Sequence, residues 1–217
     1  MILAQKSDRK NEEIFRKNMF KNRSQAGKLL AEVLKPFKGK DLVVIALPRG
    51  GVPVAYEVVK ELSAPWQPEY AFGAITETGS RIIDETALNN LGVDDETLEA
   101  IIQKEEKEIQ RRKNIYRQGR SLIDMEGKTI VLVDDGLATG MTARASILSL
   151  EELNPQEIIF AVPVAPAGSS SEFLKLCEFV TLHEKKPFYS IGHFYEDFSQ
   201  LSDDEVLSYL DDLRVLN

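Results

Sequence analysis

The sequence predicts an α/β fold, a doubly wound and mainly parallel sheet with helices on both faces. Short apolar runs rich in Val and Ile recur without polar alternation, which is typical of parallel strands buried on both faces. The first three runs are each followed by a glycine-containing loop and a segment with helical periodicity, and parallel strands need such crossovers. The runs are Leu42–Leu47, Ile130–Val133 and Ile158–Val162, and Phe179–Leu182 is one more predicted strand.

Length and composition indicate one soluble domain. The 217 residues contain 43% hydrophobic and 29% charged residues, enough apolar surface for a real core. We expect the single domain to span 1–217, with a core over about 23–182 and a small hood formed by about 183–217 and the N-terminal segment. Neither a secretory leader nor a membrane span is predicted, so the expected location is cytoplasmic. A net charge of −8 argues against nucleic-acid binding.

The stretch from Thr129 to Arg144, TIVLVDDGLATGMTAR, carries the most specific pattern. Its apolar half ends in Asp134 and Asp135, and a loop of small residues then leads into a predicted helix. This order places two carboxylates and a small-residue loop at the carboxyl end of a parallel strand, where open α/β sheets bind ligands. A buried strand that ends in an ordinary Asp-Asp-Gly turn is the alternative interpretation.

The loop composition favours a phosphorylated sugar as the ligand. Gly136 and Gly140 allow close approach of the backbone, and the N–H groups at the start of a helix favour an anion such as phosphate. Ionised carboxylates can accept hydrogen bonds from a vicinal diol. A diol joined to a phosphate is a ribose 5-phosphate. A Walker-type nucleotide loop is disfavoured because Met141 and Thr142 stand where its lysine belongs.

A second glycine-containing loop follows the first predicted strand. Arg49, Gly50 and Gly51 offer a guanidinium and backbone N–H groups at a strand end, a combination suited to pyrophosphate. Considered alone, this loop is equally compatible with a tight turn that has a solvated arginine. Two such loops in one sheet favour the binding interpretation.

Together these residues resemble a known family. The run from Ile130, the Asp134-Asp135 pair and Thr139-Gly140-Met141-Thr142 are similar to the phosphoribosyl pyrophosphate (PRPP) motif of type I phosphoribosyltransferases, and LPRGGVPVA resembles one branch of them. The resemblance implies Asp134 and Asp135 as catalytic residues on the ribose hydroxyls, and Mg²⁺ as cofactor. It implies a 5-phosphate site at Ala138, Thr139, Gly140, Met141 and Thr142, and a pyrophosphate site at Arg49, Gly50 and Gly51.

The aromatic tail at 186–198 is similar to the hood of purine phosphoribosyltransferases. This looser resemblance implies that Phe188 stacks on an acceptor base and that Glu196 lies near the metal. The predicted loop at 163–168 leaves the same side of the sheet, so Pro163 and Val164 are candidate walls of the acceptor pocket. Alternatively, the aromatic rings only pack the hood against the sheet.

Two segments fit the family less simply. Family members usually have a further strand, often ending in a basic residue, soon after the second helix; Leu62–Pro68 is predicted to be too proline-rich for a central strand. The chain is therefore expected to lack about a strand and a turn, which would weaken activity. The charged segment Asp94–Arg120 is predicted to be a solvent-facing helix. In the less favoured interpretation the end of this helix that carries Arg111, Arg112 and Arg117 is part of a mobile flap over the PRPP phosphates.

Two functional hypotheses follow. The first is a magnesium-dependent phosphoribosyltransferase that moves ribose 5-phosphate from PRPP to a nitrogen acceptor, a nucleobase by the resemblance, and releases pyrophosphate. The alternative is a regulatory protein of the same fold that binds PRPP or a nucleotide without turnover, which the expected missing strand would favour. The partners are small molecules, and because relatives commonly dimerise, the resemblance adds a homodimer as an expectation.

Overall fold

A five-stranded parallel sheet organises the protein. The computed structural model describes residues 19–68, 71–72, 75–76, 94–119 and 123–216. The strand order is β2-β1-β5-β6-β7, and β3 and β4 pair separately as an antiparallel ribbon. The strands are β1 (Leu42–Ala46), β2 (Trp66–Pro68), β3 (Ala71–Phe72), β4 (Ile75–Thr76), β5 (Thr129–Val133), β6 (Glu157–Pro166) and β7 (Glu178–Lys185).

Helices cover both faces of the sheet, which confirms the predicted doubly wound fold. They are α1 (Arg23–Leu34), α2 (Gly51–Leu62), α3 (Asp95–Arg117), α4 (Met141–Glu151), α5 (Ser169–Phe173) and α6 (Asp203–Leu216), with 3₁₀ turns at Lys35–Phe37 and Ile191–Phe194. Alternate residues of β1 and β5 enter different hydrophobic clusters. One cluster includes α1, α2 and α6, and the other includes α4 and α5. Every residue of β1 and β5 is buried, which explains their uninterrupted apolar sequences.

The expectation of a missing strand is wrong. Trp66–Pro68 forms β2, which pairs in parallel with β1 in the register Val44↔Trp66 to Ala46↔Pro68. The strand lies at the edge of the sheet, where only one side must be hydrogen-bonded and proline is tolerated. A segment unsuited to a central strand therefore serves at an edge. The argument for weakened activity from a missing strand no longer holds.

The predicted loop at 163–168 is also corrected. β6 continues as far as Pro166 and pairs with β7 through Val164↔His183 and Pro166↔Lys185. Pro163 fits because β5 pairs with β6 only as far as Ala161, so no ladder on that side requires its missing N–H. Pro163 and Val164 are consequently buried strand residues.

The strand order reverses between β1 and β5. From β1 the chain moves outward to β2, and it later returns to pair β5 on the other side of β1, with Ala46 opposite Val133. Such a switch point leaves a crevice outside the carboxyl ends of the two strands, which is where α/β proteins bind ligands. The loops that leave β1 and β5 begin at this crevice.

The chain termini are joined to the core in different ways. Helix α6, which falls within the predicted hood, buries Val206, Leu210 and Leu213 in the same cluster as α1 and α2. The remaining hood pairs with the N-terminal segment, because Phe20 N donates to Phe194 O at 2.8 Å. The part of the N-terminal segment at 1–18 lies outside the described residues. Within the described ranges no helix is long and apolar enough to cross a membrane.

Helix α3 confirms the prediction for the charged segment. It spans Asp95–Arg117, and Asp94 caps it by accepting from Thr97 N at 2.8 Å. Most of its surface is exposed, but Ile109 and Tyr116 are buried, which anchors its last turns. Arg120 lies outside the described residues.

Candidate active site at the switch point

The two predicted binding loops are in direct contact. Gly50 lies against the Asp135 side chain so closely that a Cβ atom on Gly50 would be 2.0 Å from Oδ2 of Asp135. A Cβ on Gly51 would be 2.6 Å from the Val133 carbonyl oxygen. No real Cβ tolerates either approach, so glycine is required here for close packing of the loops. The structure thus brings the predicted pyrophosphate loop against the predicted ribose acids.

Asp134 is the more accessible of the two adjacent acids. The residue as a whole is partly exposed, and its Oδ1 accepts a hydrogen bond from Asp135 N at 2.8 Å. Burial, and then the negative charge of Asp135, raise the pKa of the Asp134 carboxyl well above its usual value. A nearby cation or hydroxyl donor stabilises the ionised form of such an acid. Asp134 therefore lies at the crevice in an electrostatic environment that favours a bound cation or hydroxyl donor.

Asp135 is held by an arginine that the sequence analysis did not select. Arg23 Nε donates to Oδ2 of Asp135 at 2.7 Å, and Arg23 Nη1 donates to the Ser199 carbonyl at 2.8 Å. The Arg23 guanidinium also lies 3.9 Å above the centre of the Phe198 ring. Burial raises the pKa of Asp135, and the hydrogen bond from Arg23 opposes that rise. Asp135 thus links the crevice to the hood, while its predicted contact with a ribose hydroxyl stays a prediction.

The predicted phosphate loop has the geometry of a helix N-terminus. Gly140 caps α4 with φ of +76°, in the left-handed region that favours glycine. Arg144 N makes the first intrahelical bond, to Gly140 O at 2.9 Å, so the N–H groups of Met141 and Thr142 have no acceptor within the helix. Ala138 and Thr139 are exposed beside them. This arrangement suits an anion.

Thr139→Glu is expected to abolish stabilisation by ribose 5-phosphate, because it adds a negative charge where the phosphate is predicted to lie. At a ligand concentration of 100 Kd the wild-type gain is about 2.7 kcal/mol, or roughly 5–10 °C in Tm. Thr139→Gln, of the same size and uncharged, is the matched control and should keep most of the gain. Thermal unfolding with and without ribose 5-phosphate measures both. If ribose 5-phosphate stabilised both variants equally, the assignment of the phosphate site to this loop would be wrong.

Gly140 is a poor position for the same test. A Cβ there would meet the Phe173 ring at 3.0 Å, and the positive φ would strain any other residue. Loss of ligand binding in a Gly140 variant would therefore be confused with loss of packing.

Arg49 lies at the rim of the crevice. The loop turns through Leu47 to Gly51, with Gly51 N donating to Leu47 O at 2.9 Å, and the Pro48–Arg49 peptide is cis. The Arg49 side chain is 26% exposed, and its Nη1 lies 4.0 Å from Oδ1 of Asp203 at the start of α6. The predicted pyrophosphate arginine is thus accessible and already faces one carboxylate.

The hood contacts the site mainly through Tyr195. Its hydroxyl donates to the Asp135 carbonyl oxygen at 2.6 Å. Phe188 stacks on Phe194 with ring centres 5.2 Å apart and packs in the cluster that contains Val164. The rings therefore do pack the hood against the sheet. The roles of Phe188, Pro163 and Val164 in an acceptor pocket stay predictions.

The residues of the site fit a magnesium ion carried by substrate. Within the described ranges, no group of three or more His, Cys, Asp or Glu side chains could hold a metal. Mg²⁺ usually retains waters and binds one or two carboxylates plus substrate phosphates, so Asp134 alone would suffice on the protein side. Glu196 is exposed, and its predicted place near the metal stays a prediction.

Three side chains at the candidate site were not predicted from the sequence. Arg23, Tyr195 and Asp203 approach the site from α1, the hood and the start of α6. The one local signal in the sequence is the segment Ser202–Glu205, which has the pattern of a capping box, and in the structure Glu205 N donates to Ser202 Oγ at 3.2 Å. That pattern explains where α6 begins. It does not predict the contact of Asp203 with Arg49, because that contact depends on tertiary packing.

The doubly wound sheet with glycine loops at its switch point agrees with the fold of the type I phosphoribosyltransferases, a class of α/β proteins. Residues 16–197 match the phosphoribosyl transferase domain model. The crystal structure of TT1426 from Thermus thermophilus is similar, with 30% identity, a TM-score of 0.74, and coverage of 89% of this chain and 98% of that one. The chain belongs to the phosphoribosyl transferase family.

Two curated Mycobacterium tuberculosis proteins, provisionally named phosphoribosyl transferases, are also similar. They are MT0597 of strain CDC 1551 and Rv0571c of strain H37Rv, each 39% identical over 206 residues. The matches cover 89% of this chain and 46% of each relative. The chain thus spans about half the length of these curated relatives.

Proposed function

We propose that the protein transfers the 5-phosphoribosyl group of PRPP to a nitrogen acceptor, with a nucleobase as the acceptor class, and releases pyrophosphate. The observation that carries the proposal is the contact of Gly50 and Gly51 with the Val133–Asp135 segment. It brings an arginine-bearing glycine loop, a carboxylate and a helix N-terminus to one crevice. These are the groups needed for pyrophosphate, ribose hydroxyls and 5-phosphate respectively.

The chemistry requires mainly positioning and electrostatics. The bond from ribose C1 to the pyrophosphate oxygen breaks with its electron pair going to pyrophosphate, the acceptor nitrogen supplies the pair for the new bond, and the proton of that nitrogen is released to solvent. Positive charge develops on the ribose ring meanwhile. Asp134, placed at the diol, would hold the hydroxyls and stabilise that charge, while Arg49 would take up charge on the leaving group. Mg²⁺, when bound with the substrate, would supply further positive charge to the pyrophosphate oxygens.

Asp135 has a second role in this proposal. Its side chain is only 9% exposed and binds Arg23 at 2.7 Å, so it holds the hood and the ribose loop together. The stacked rings of Phe188 and Phe194 in the hood support a planar acceptor, because aromatic rings of this type stack on bases. A homodimer stays a prediction.

Turnover is tested by incubating the protein with PRPP, Mg²⁺ and a panel of nucleobases while measuring pyrophosphate release. We expect pyrophosphate to be released only when one particular base of the panel is present. Binding of PRPP without release with any acceptor would favour the regulatory alternative, and failure to bind PRPP would contradict both functions.

Asp134→Asn is expected to weaken PRPP binding by about 10- to 100-fold, since a hydrogen bond to a charged group contributes about 1.5–3 kcal/mol. The variant should nevertheless be at least as stable at neutral pH. Because the folded-state pKa of Asp134 is raised, its ionised form costs stability above that pKa, and asparagine removes the cost. Calorimetric titration and thermal unfolding measure the two effects. Asp124→Asn, at an exposed position, is the control, and unchanged PRPP affinity in Asp134→Asn would refute the assignment.

A further inference from the structure

Two arginines from distant parts of the chain converge on Asp203. Nη1 of Arg111, in α3, donates to Oδ2 of Asp203 at 2.7 Å. Nη1 of Arg49, in the loop after β1, lies 4.0 Å from the other oxygen of the same carboxylate. Tyr116 also donates its hydroxyl to Asp203. One carboxylate therefore brings the Arg111 guanidinium beside the predicted pyrophosphate arginine.

Packing holds Arg111 in this place. Tyr116, five positions further along α3, is 1% exposed in the cluster that contains α2 and α6, and Ile109 is also buried. The C-terminal side of Arg111 is thus fixed against the body through Tyr116. The Arg111 side chain itself is 41% exposed, so it remains accessible to a ligand.

The Arg111 guanidinium retains hydrogen-bonding capacity. Its Nε and Nη2 donate to Glu108 at 2.7 and 2.8 Å, and one Nη1 proton goes to Asp203. Arginine has five N–H donors, so in the contacts of the described residues two are left for another acceptor, one on each Nη atom. Two facing oxygens of a phosphate match this fork.

The sequence gives a reason for a second cation to come from elsewhere in the fold. The family resemblance places a basic residue near the end of the strand after α2. That strand is β2, and the chain continues with Glu69, an acid. Arg49 is the single arginine of its loop, so that loop alone would offer one guanidinium to a multiply charged leaving group.

We infer that Arg111 is a second pyrophosphate-binding residue, which acts with Arg49 and is gathered beside it by Asp203. The inference rests on the proposed function, because it takes pyrophosphate as the leaving group at the β1 loop. Pyrophosphate bridges the two guanidiniums, and Arg111 supplies the second cation beside Arg49. Helix α3 therefore contributes to the site through a fixed contact at its C-terminal end.

The test is the affinity of the full-length protein for magnesium pyrophosphate, measured by titration calorimetry. Arg111→Ala is expected to weaken binding about tenfold, which is the size of one charge-assisted contact at a partly exposed position. Arg111→Lys should regain part of the loss, because lysine restores the charge and not the fork. Arg112→Ala is the matched control. Arg112 is on the same helix and pairs with Glu108 at 2.6 Å, so its loss removes equal charge and should change affinity less than twofold.

The outcomes separate the inference from the proposed function. Wild-type affinity in Arg111→Ala, with affinity lost in Arg49→Ala, would overturn the role of Arg111 and leave the transferase proposal intact. An equal loss in Arg111→Ala and Arg112→Ala would also overturn it, because the effect would then be one of general charge. Failure of the wild-type protein to bind either PRPP or pyrophosphate would overturn both. Ribose 5-phosphate protection should persist in Arg111→Ala and shows that the variant is folded.

Discussion

Arg23→Met is expected to lower the free energy of unfolding by about 3 kcal/mol at neutral pH. Removing one partner of a buried ion pair costs about 3–5 kcal/mol, and the low end applies because the Arg23 and Asp135 side chains are 11% and 9% exposed. The variant leaves two adjacent carboxylates, Asp134 and Asp135, without the guanidinium that offsets their charge. A Tm lower by roughly 6–12 °C should result.

The pH dependence identifies the cause of this loss. Without Arg23 the folded-state pKa values of both acids rise further above the ordinary value, so the folded state binds protons more tightly than the unfolded state. Stability of the variant should then fall as pH rises above about 4, the ordinary pKa of aspartate, and recover as pH is lowered towards it. The difference between variant and wild type should shrink at acidic pH.

Thermal unfolding between pH 4.5 and pH 7.5 measures the effect. Lys28→Met, on the exposed side of α1, removes the same charge and should change stability by at most about 0.5 kcal/mol. Adding Asp134→Asn to Arg23→Met should restore part of the stability at neutral pH. A loss of equal size at both pH values would instead assign the role of Arg23 to its packing on Phe198.

Gly50→Ala is the second substitution with a large expected effect. Gly50 has φ of −61°, which any residue can adopt, so the cost arises from the new Cβ at 2.0 Å from Oδ2 of Asp135. Asp135 cannot simply rotate away, because Arg23 holds that oxygen at 2.7 Å. We expect a destabilisation of about 1–3 kcal/mol from overpacking, together with loss of pyrophosphate binding as the loop moves.

A double-mutant cycle with Asp135→Ala isolates the contact. If the clash is with the carboxylate, Gly50→Ala should cost much less in the Asp135→Ala background, with a coupling energy of about 0.5–3 kcal/mol. Denaturant unfolding of the four proteins provides the numbers. Additive losses in the free energy of unfolding would mean that Gly50 is required for another reason, such as an effect on the unfolded chain.

The sequence by itself determined the local parts of this protein. Three buried strands, the half-buried edge strand β7, the crossover helices and the capping box at Ser202 are visible because each depends on residues within about a dozen positions of one another. The left-handed cap at Gly140 likewise reflects a local requirement. Since loops at the carboxyl ends of parallel strands share one edge of the sheet, the prediction that Arg49 and Asp134 belong to one site also followed from the chain order.

The tertiary structure alone decided which side chains complete the site. Arg23 and Asp135 are separated by 112 positions, and no periodicity or motif links them. Asp203 reads in sequence only as a helix-start residue, yet packing of α3 and α6 places it between Arg49 and Arg111. β2 was missed for a related reason: a three-residue edge strand needs one partner and little β propensity, so its existence depends on the β1 edge beside it and not on its own residues.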